Sequence, residues 1–199
     1  MMERPILFSG EMVRAILAGR KTQTRRVVRI QPRFDRAGVT GAVWVQDGLG
    51  SWCFPNAAPE VRQVCPYGQP GDRLWVRETW CMNEPPSGAL YRATDQYSFV
   101  ALAEARVKQG LDLKWTPSIF MPRWASRITL EITKVRVERL QQISRSDATA
   151  EGCRPYCVAF DKLPAQEYRD LWDKINLKRG FGWDVNPWVW VIEFQRVAP

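Results

Sequence analysis

The 199-residue chain is 45% hydrophobic and contains 10 Trp, 8 Phe and 5 Tyr, which is enough apolar material for one sizeable core. Its 29 Lys and Arg outnumber its 21 Asp and Glu, and a formal charge of +8 favours anionic partners such as nucleic acid. The chain has no histidine, which excludes imidazole as general base, general acid or metal ligand and leaves Lys, Asp, Glu, Tyr or Cys as the base.

The first predicted elements are a helix and a strand joined by a turn. Ser9 is placed to cap a helix that presents Val13 and Ile16 on its apolar side, and Gly19 is placed to end it. From Thr22 to Ile30 the sequence alternates as in a strand, so the stretch GRKTQTRR, residues 19–26, begins in a turn and continues into that strand.

The middle of the chain predicts short β-pieces. Residues 31–70 are rich in Gly and Pro and are typical of an inserted hairpin with loops. Residues 70–80, PGDRLWVRETW, predict a turn followed by a strand, with ALYRAT at 89–94 as its partner. Residues 95–110 have helical periodicity, with Phe99, Leu102, Ala103 and Val107 on one face.

The last part of the chain carries the clearest patterns. Residues 125–140 predict a long strand whose change of phase indicates a bulge near Thr133. ISRSDATAEG predicts a short helix with a capping box from Ser144 to Asp147. Residues 164–176 predict a helix that begins at a proline, and its apolar face is formed by Tyr168, Leu171, Trp172 and Ile175.

The chain ends in WVWVIEFQRV, a strand pattern with Trp188, Trp190, Ile192 and Phe194 on one face. Several strands, few helices and one late amphipathic helix predict the α+β class. A small, partly closed β-barrel with helices over its openings fits these elements best.

The cysteines and the N-terminus predict the setting. The five cysteines are an odd number without C-x-x-C spacing, which predicts free thiols; they are Cys53, Cys65, Cys81, Cys153 and Cys157. Their spacing fits no common zinc pattern, so we predict no metal and no other cofactor. An acidic residue at position 3 and the lack of a run of ~20 apolar residues predict a cytoplasmic protein with no membrane partner.

The basic stretch offers one candidate for chemistry. Lys21 stands among Arg20, Arg25 and Arg26, and like charges lower the pKa of a lysine. A lysine that loses its proton can activate a hydroxyl, and Thr24 lies three residues on. The alternative is that the arginines of this strand only hold phosphates.

Two further stretches, WVRETW at 75–80 and RWASR at 123–127, place cations beside aromatic rings, a combination suited to a nucleotide site. They supply five candidate substrate-binding residues, namely Trp75, Arg77, Glu78, Arg123 and Trp124. The alternative is that these residues are solvent-facing strand ends.

Three segments together resemble the ASCH domain (activating signal cointegrator homology). GRKTQTRR is similar to its G-x-K-x-x-x-x-R motif through Gly19, Lys21 and Arg26, and the GD-x-L-x-V segment at 71–76 and VIEF at 191–194 follow in the same order. The longer pattern resembles ASCH proteins of bacteriophages and prophages. The resemblance implies a PUA-like β-barrel with flanking helices, as a single domain over 1–199 with insertions at about 31–65 and 81–125.

The resemblance also implies an activity. Small bacterial ASCH proteins are amidohydrolases that remove the acetyl group of N4-acetylcytidine, which implies Thr24 as nucleophile, Lys21 as base, Glu151 as their acidic partner and Arg26 as a substrate-binding residue. Glu78 is the alternative acid. Other ASCH proteins imply a ribonuclease or a non-catalytic RNA or modified-base binding module, so the expected partner is a modified nucleoside or RNA.

Overall fold

The computed structural model describes residues 1–31, 45–46, 51–54, 61–82, 88–95, 114–154 and 163–197, with Tyr97, Val100, Ala101, Ala103 and Glu104 between them. No helix in this described part of the chain is long and apolar enough to span a membrane. The strands are β1 Glu3–Leu7, β2 Gln23–Val27, β3 Val45–Gln46, β4 Ser51–Phe54, β5 Val61–Val64, β6 Arg73–Arg77, β7 Trp80–Met82, β8 Ala89–Tyr91, β9 Thr129–Arg139 and β10 Trp188–Val197.

A five-stranded mixed sheet forms the centre of the structure, in the order β1-β6-β9-β10-β2. β1 and β6 are parallel, and the other neighbours are antiparallel. The predicted bulge is confirmed, because the register of β9 against β10 steps from Lys134 to Ile132 and leaves Thr133 without a partner. The predicted α+β class is therefore confirmed.

The alternation of β10 sorts the core into two layers. The predicted aromatic face packs into one buried cluster with Phe8, Val13 and Ile16 from the start of the chain. On the opposite face, Val189 and Val191 pack into a second cluster under the helices at 145–150 and 164–176. A central strand that is covered on both faces explains why its sequence is almost continuously apolar.

Of the described residues, those of three α-helices pack against the sheet, and these three helices match the predictions. They are α1 Gly10–Leu17, α2 Arg145–Ala150 and α3 Pro164–Asn176. Ser9 caps α1 by accepting a hydrogen bond from the Met12 amide, and Ser144 forms the predicted capping box with Asp147. Local capping and periodicity were sufficient to place these helices.

The insertions form two small sheets, β3-β4-β5 and β7-β8. One predicted pairing is corrected: ALYRAT supplies β8, which pairs with β7, whereas the strand at 73–77 pairs with β1 and β9. The break at Glu78 and Thr79 separates β6 from β7, so the stretch read as one strand is two. Of the helical face predicted for 95–110, only Ala103 lies within the described residues, and it is helical.

In the described residues the central sheet remains open, with β1 and β2 as its edges. The two edges approach each other at one point, where Arg26 Nη2 donates a hydrogen bond to the Leu7 carbonyl at 2.7 Å. The described strands thus establish a mixed open sheet that curls enough to bring its edges within side-chain reach.

Candidate active site

Lys21 lies in the turn between α1 and β2, because β2 begins only at Gln23. The Lys21 amide donates to the Ala15 carbonyl at the end of α1, and the Thr22 amide donates to the Ala150 carbonyl at the end of α2. Two helix ends therefore hold the turn, and they direct the Lys21 side chain into the protein interior, where it is completely buried.

The ammonium group of Lys21 has three hydrogen-bond acceptors. Nζ donates to the Gln23 carbonyl at 2.8 Å, to the Glu151 carbonyl at 2.7 Å and to Glu151 Oε2 at 2.7 Å. A lysine ammonium has three N–H donors, so each acceptor receives one proton.

Opposing effects act on the pKa of Lys21. Burial lowers the pKa of Lys21, the Glu151 carboxylate raises it, and the Arg26 charge lowers it further. The predicted direction is correct, although burial rather than neighbouring cations is the main cause. The resting group is nevertheless the ammonium, because a neutral amine would direct its lone pair at one of three acceptors.

The turn after α2 brings Glu151 against Lys21. Glu151 is the C-cap residue of α2, and the chain leaves through Gly152 at φ +98°. A Cβ on Gly152 would lie 3.1 Å from the Ala15 Cβ and 3.3 Å from the Lys21 Cβ. Glycine at this position permits both the backbone conformation and the close approach of the two segments.

Arg25 holds the other side of the Glu151 carboxylate. Its guanidinium, whose side chain is fully buried, lies 3.4 Å from Glu151 Oε1, 3.2 Å from Asp147 Oδ2 and 3.3 Å from Glu138 Oε2. Arg136 extends this network by pairing with both Glu138 and Asp147. Because three carboxylates occupy Arg25, it is not available to bind phosphate.

A cavity of about 120 Å³ lies along the free edge of β2, between that strand and α3. Thr24 and Glu151 both line it, as do Arg26 and Tyr168. No described residue forms a hydrogen bond with the Thr24 hydroxyl, and only 3% of Thr24 is exposed. The remaining lining residues are Met12, Arg25, Val27, Tyr67, Leu171, Trp172, Ile175, Asn176 and Arg179.

The structure thus brings four predicted site residues together. Thr24, Glu151 and Arg26 share the cavity, and Lys21 supports Glu151 from behind it. A hydroxyl beside a carboxylate that is held by a lysine and an arginine has the components of an activated nucleophile.

The other predicted residues lie elsewhere. Trp75 is buried with Arg77 over its ring at 4.7 Å. Trp124 is 65% exposed and packs edge-on against Trp80 at 5.5 Å. Arg123 pairs with the Glu3 carboxylate at 2.9 Å.

Glu78 lines a second cavity, which shares Leu171 and Ile175 with the first. Its buried carboxylate accepts two hydrogen bonds from Arg127, at 2.9 and 3.1 Å. That cavity has a volume of about 560 Å³, and it is also lined by Arg14 and Arg92. Glu78 is therefore absent from the cavity that contains Thr24.

Sequence reasoning missed two contributors to the site. Tyr168 was predicted only as part of the apolar face of its helix, although it also lines the cavity. Arg25 was predicted only as one of several basic residues on a strand. Its alternation with Thr24 put it on the opposite face, but no local pattern shows which acids cover that face.

In the described part of the chain, no group of acidic or cysteine residues is arranged to hold a metal ion. Cys53, Cys65, Cys81 and Cys153 are not joined in disulfide bonds, and Cys157 lies outside the described residues. Comparisons with protein-family models, with curated proteins and with solved structures found no match for this chain.

Proposed function

We propose that the protein is an amidohydrolase that removes the acyl group from an N4-acylated cytidine or a related modified nucleoside. The observation that carries the proposal is that Thr24 and Glu151, 127 positions apart in sequence, line the same cavity. The resemblance of the Gly19–Lys21–Arg26 stretch to ASCH proteins supports the substrate class. A PUA-like closure of the sheet and a cytoplasmic location, in the bacterial host if the chain is phage-encoded, belong to the same proposal.

The proposed reaction proceeds in two halves. The Thr24 hydroxyl attacks the acyl carbon, and its proton passes to the Glu151–Lys21 pair, which Arg25 holds in place. The C–N bond breaks as that pair returns the proton to the leaving exocyclic amine. Water then hydrolyses the threonine ester by the same proton path and releases the carboxylic acid, so no redox partner or cofactor is required.

The position of Lys21 refines its role. Its three hydrogen bonds engage every N–H group, so Glu151 is the member of the pair that presents an oxygen to the cavity. The buried cation stabilises the ionised carboxylate before Glu151 takes up the proton and again after Glu151 returns it. Arg26, on the rim of the cavity, binds the polar part of the nucleoside.

The test measures release of cytidine from N4-acetylcytidine, with chromatography as the detection method. Wild type should turn over, and Thr24→Ala should lose at least about 1,000-fold in kcat. Thr22→Ala is the matched control, because Thr22 is exposed two residues earlier, and it should retain the wild-type rate. Absence of turnover by wild type would refute the proposal.

The same fully occupied Lys21 favours a second candidate, a non-catalytic module that binds modified bases or RNA. In that case Thr24→Ala would leave binding unchanged, whereas Arg26→Ala would weaken it. Cleavage of RNA without acyl release would instead support a ribonuclease, with Arg26 stabilising the phosphate charge.

A further inference from the structure

Tyr168 of α3 places a phenol in the same cavity as Thr24 and Glu151. The residue is only 3% exposed, and no described residue forms a hydrogen bond with its hydroxyl. The oxygen keeps some accessible surface, and Tyr168 is one of the residues that line the cavity. A buried phenol usually finds a hydrogen-bond partner, so one without a partner that faces a cavity points to a ligand.

The packing of the ring fixes where the hydroxyl lies. The Tyr168 ring packs at a tilt against Trp172, with ring centres 6.2 Å apart, and edge-on against Trp183 at 6.4 Å. The Arg25 guanidinium carbon lies 6.0 Å from the ring centre on the side of β2. Three contacts hold the ring, so little freedom is lost when its hydroxyl engages a ligand.

The phenol is also a reliable donor. Burial, reinforced by the Glu151 charge, raises the pKa of Tyr168 well above its ordinary value despite the opposing charge of Arg25. The hydroxyl therefore keeps its proton throughout the neutral and mildly alkaline range.

Other donors in the cavity are already committed. Arg25 donates to carboxylates, and Asn176 donates to the Trp172 carbonyl at 3.2 Å. Arg26 donates to the Leu7 carbonyl at the rim. Within the described lining, apart from the attacking Thr24 hydroxyl, the phenols of Tyr67 and Tyr168 remain as neutral donors for an uncharged oxygen acceptor, and Tyr168 is the buried one of the two.

We infer that Tyr168 is a further catalytic residue, whose O–H donates a hydrogen bond to the acyl oxygen of the substrate as Thr24 attacks the adjoining carbon. This inference rests on the proposed amidohydrolase function. The acyl oxygen gains negative charge in the tetrahedral intermediate, and a donor whose ring is already held in place stabilises that charge. When the C–N bond breaks, the oxygen returns to a carbonyl and the phenol keeps its proton throughout.

The experiment compares wild type, Tyr168→Phe and Tyr91→Phe for turnover of N4-acetylcytidine. Tyr168→Phe keeps the ring and should lower kcat on the order of 100-fold while KM changes little, as expected for a donor that acts in the transition state. Tyr91 donates to the Ala125 carbonyl at 2.9 Å, away from the cavity, so Tyr91→Phe controls for loss of a structural phenol. Thermal melting establishes that each variant folds.

The outcomes separate the inference from the function on which it rests. Wild-type turnover with less than a threefold change in Tyr168→Phe would overturn the inference and leave the amidohydrolase intact. Absence of wild-type turnover would overturn both. If Tyr168→Phe fails to fold, replacing all 5 tyrosines with difluorotyrosine retains the rings and lowers the phenol pKa. The alkaline limb of kcat should then move to lower pH, and an unmoved limb would contradict the inference.

Discussion

Lys21 Nζ lies 2.7 Å from Glu151 Oε2, and both side chains are almost completely enclosed by the protein. Ions buried in this way lose their hydration, and each depends on the other and on main-chain acceptors for compensation. The pair joins the turn after α1 to the turn after α2. The position of the Glu151 carboxylate in the cavity therefore depends on both turns being folded.

We expect Lys21→Met to lower the free energy of unfolding by about 3–5 kcal/mol, because it leaves a buried carboxylate without its nearest cation. Glu151→Gln should have a similar effect through the stranded ammonium. The double variant should be destabilised by less than the sum of the two. Urea unfolding followed by tryptophan fluorescence measures all four forms, and additivity within about 0.5 kcal/mol would contradict a direct interaction.

Arg25 and Arg26 are adjacent in sequence, yet the structure predicts opposite results for their substitution. Arg25→Met should cost about 3–5 kcal/mol of stability, because three carboxylates lose a buried cation. Arg26→Met removes one exposed hydrogen bond to the Leu7 carbonyl and should cost only about 1 kcal/mol.

At temperatures where both variants are folded, they should affect different kinetic parameters, and Arg25→Met should lower kcat because Arg25 holds the Glu151 carboxylate. Arg26→Met should raise KM, because Arg26 lines the cavity. Urea unfolding and steady-state kinetics on the same preparations test the two effects. Equal losses of stability would contradict the assignment of Arg25 to the interior network.

Periodicity and capping were sufficient to predict the helices, the final strand and the bulge, because each depends on residues a few positions apart. The parallel pairing of β1 with β6 was not predicted, since it joins segments 70 positions apart with no local pattern that records it. The same limit applies to the site. Alternation separates Thr24 from Arg25, but only the tertiary structure shows that α2 and α3 bring Asp147 and Tyr168 to Arg25, and that Thr24 lines the same cavity as Tyr168.

Asp147 should make stability depend on pH in the acid range. Burial, the largest single cause, disfavours its charge, but the hydrogen bonds from Ser144 and the charges of Arg25 and Arg136 together outweigh that effect. The pKa of Asp147 therefore lies below its ordinary value. Its contribution is therefore complete above the unfolded-state pKa of about 3.9 and is lost as the pH falls through the lower folded-state pKa.

We expect Asp147→Asn to be less stable than wild type at pH 7, and the difference should shrink between about pH 4 and pH 2. Urea unfolding at a series of pH values measures this convergence. Asp184→Asn is the control, because the Asp184 side chain is 85% exposed and its pair with Arg169 should contribute little. A constant difference between wild type and Asp147→Asn at all pH values would exclude the linkage.

The turn at Gly152 offers a test of how closely the two active-site segments must approach. Gly152→Ala imposes a side chain on a residue at φ +98° and places its Cβ 3.1 Å from the Ala15 Cβ. Gly180→Ala is the matched control, because Gly180 also has a positive φ, +80°, but a Cβ there would meet nothing within 4 Å. The control should lose about 1–2 kcal/mol from backbone strain alone, and Gly152→Ala should lose about 1–3 kcal/mol more through overpacking.

Because relief of that overpacking would move Glu151 away from Lys21, Gly152→Ala should also reduce kcat at temperatures where it is folded, while Gly180→Ala should not. Equal stability losses for the two variants would show that the turns after α1 and α2 can separate without a cost in stability. The position of Glu151 would then not depend on the close approach of Gly152 to Lys21.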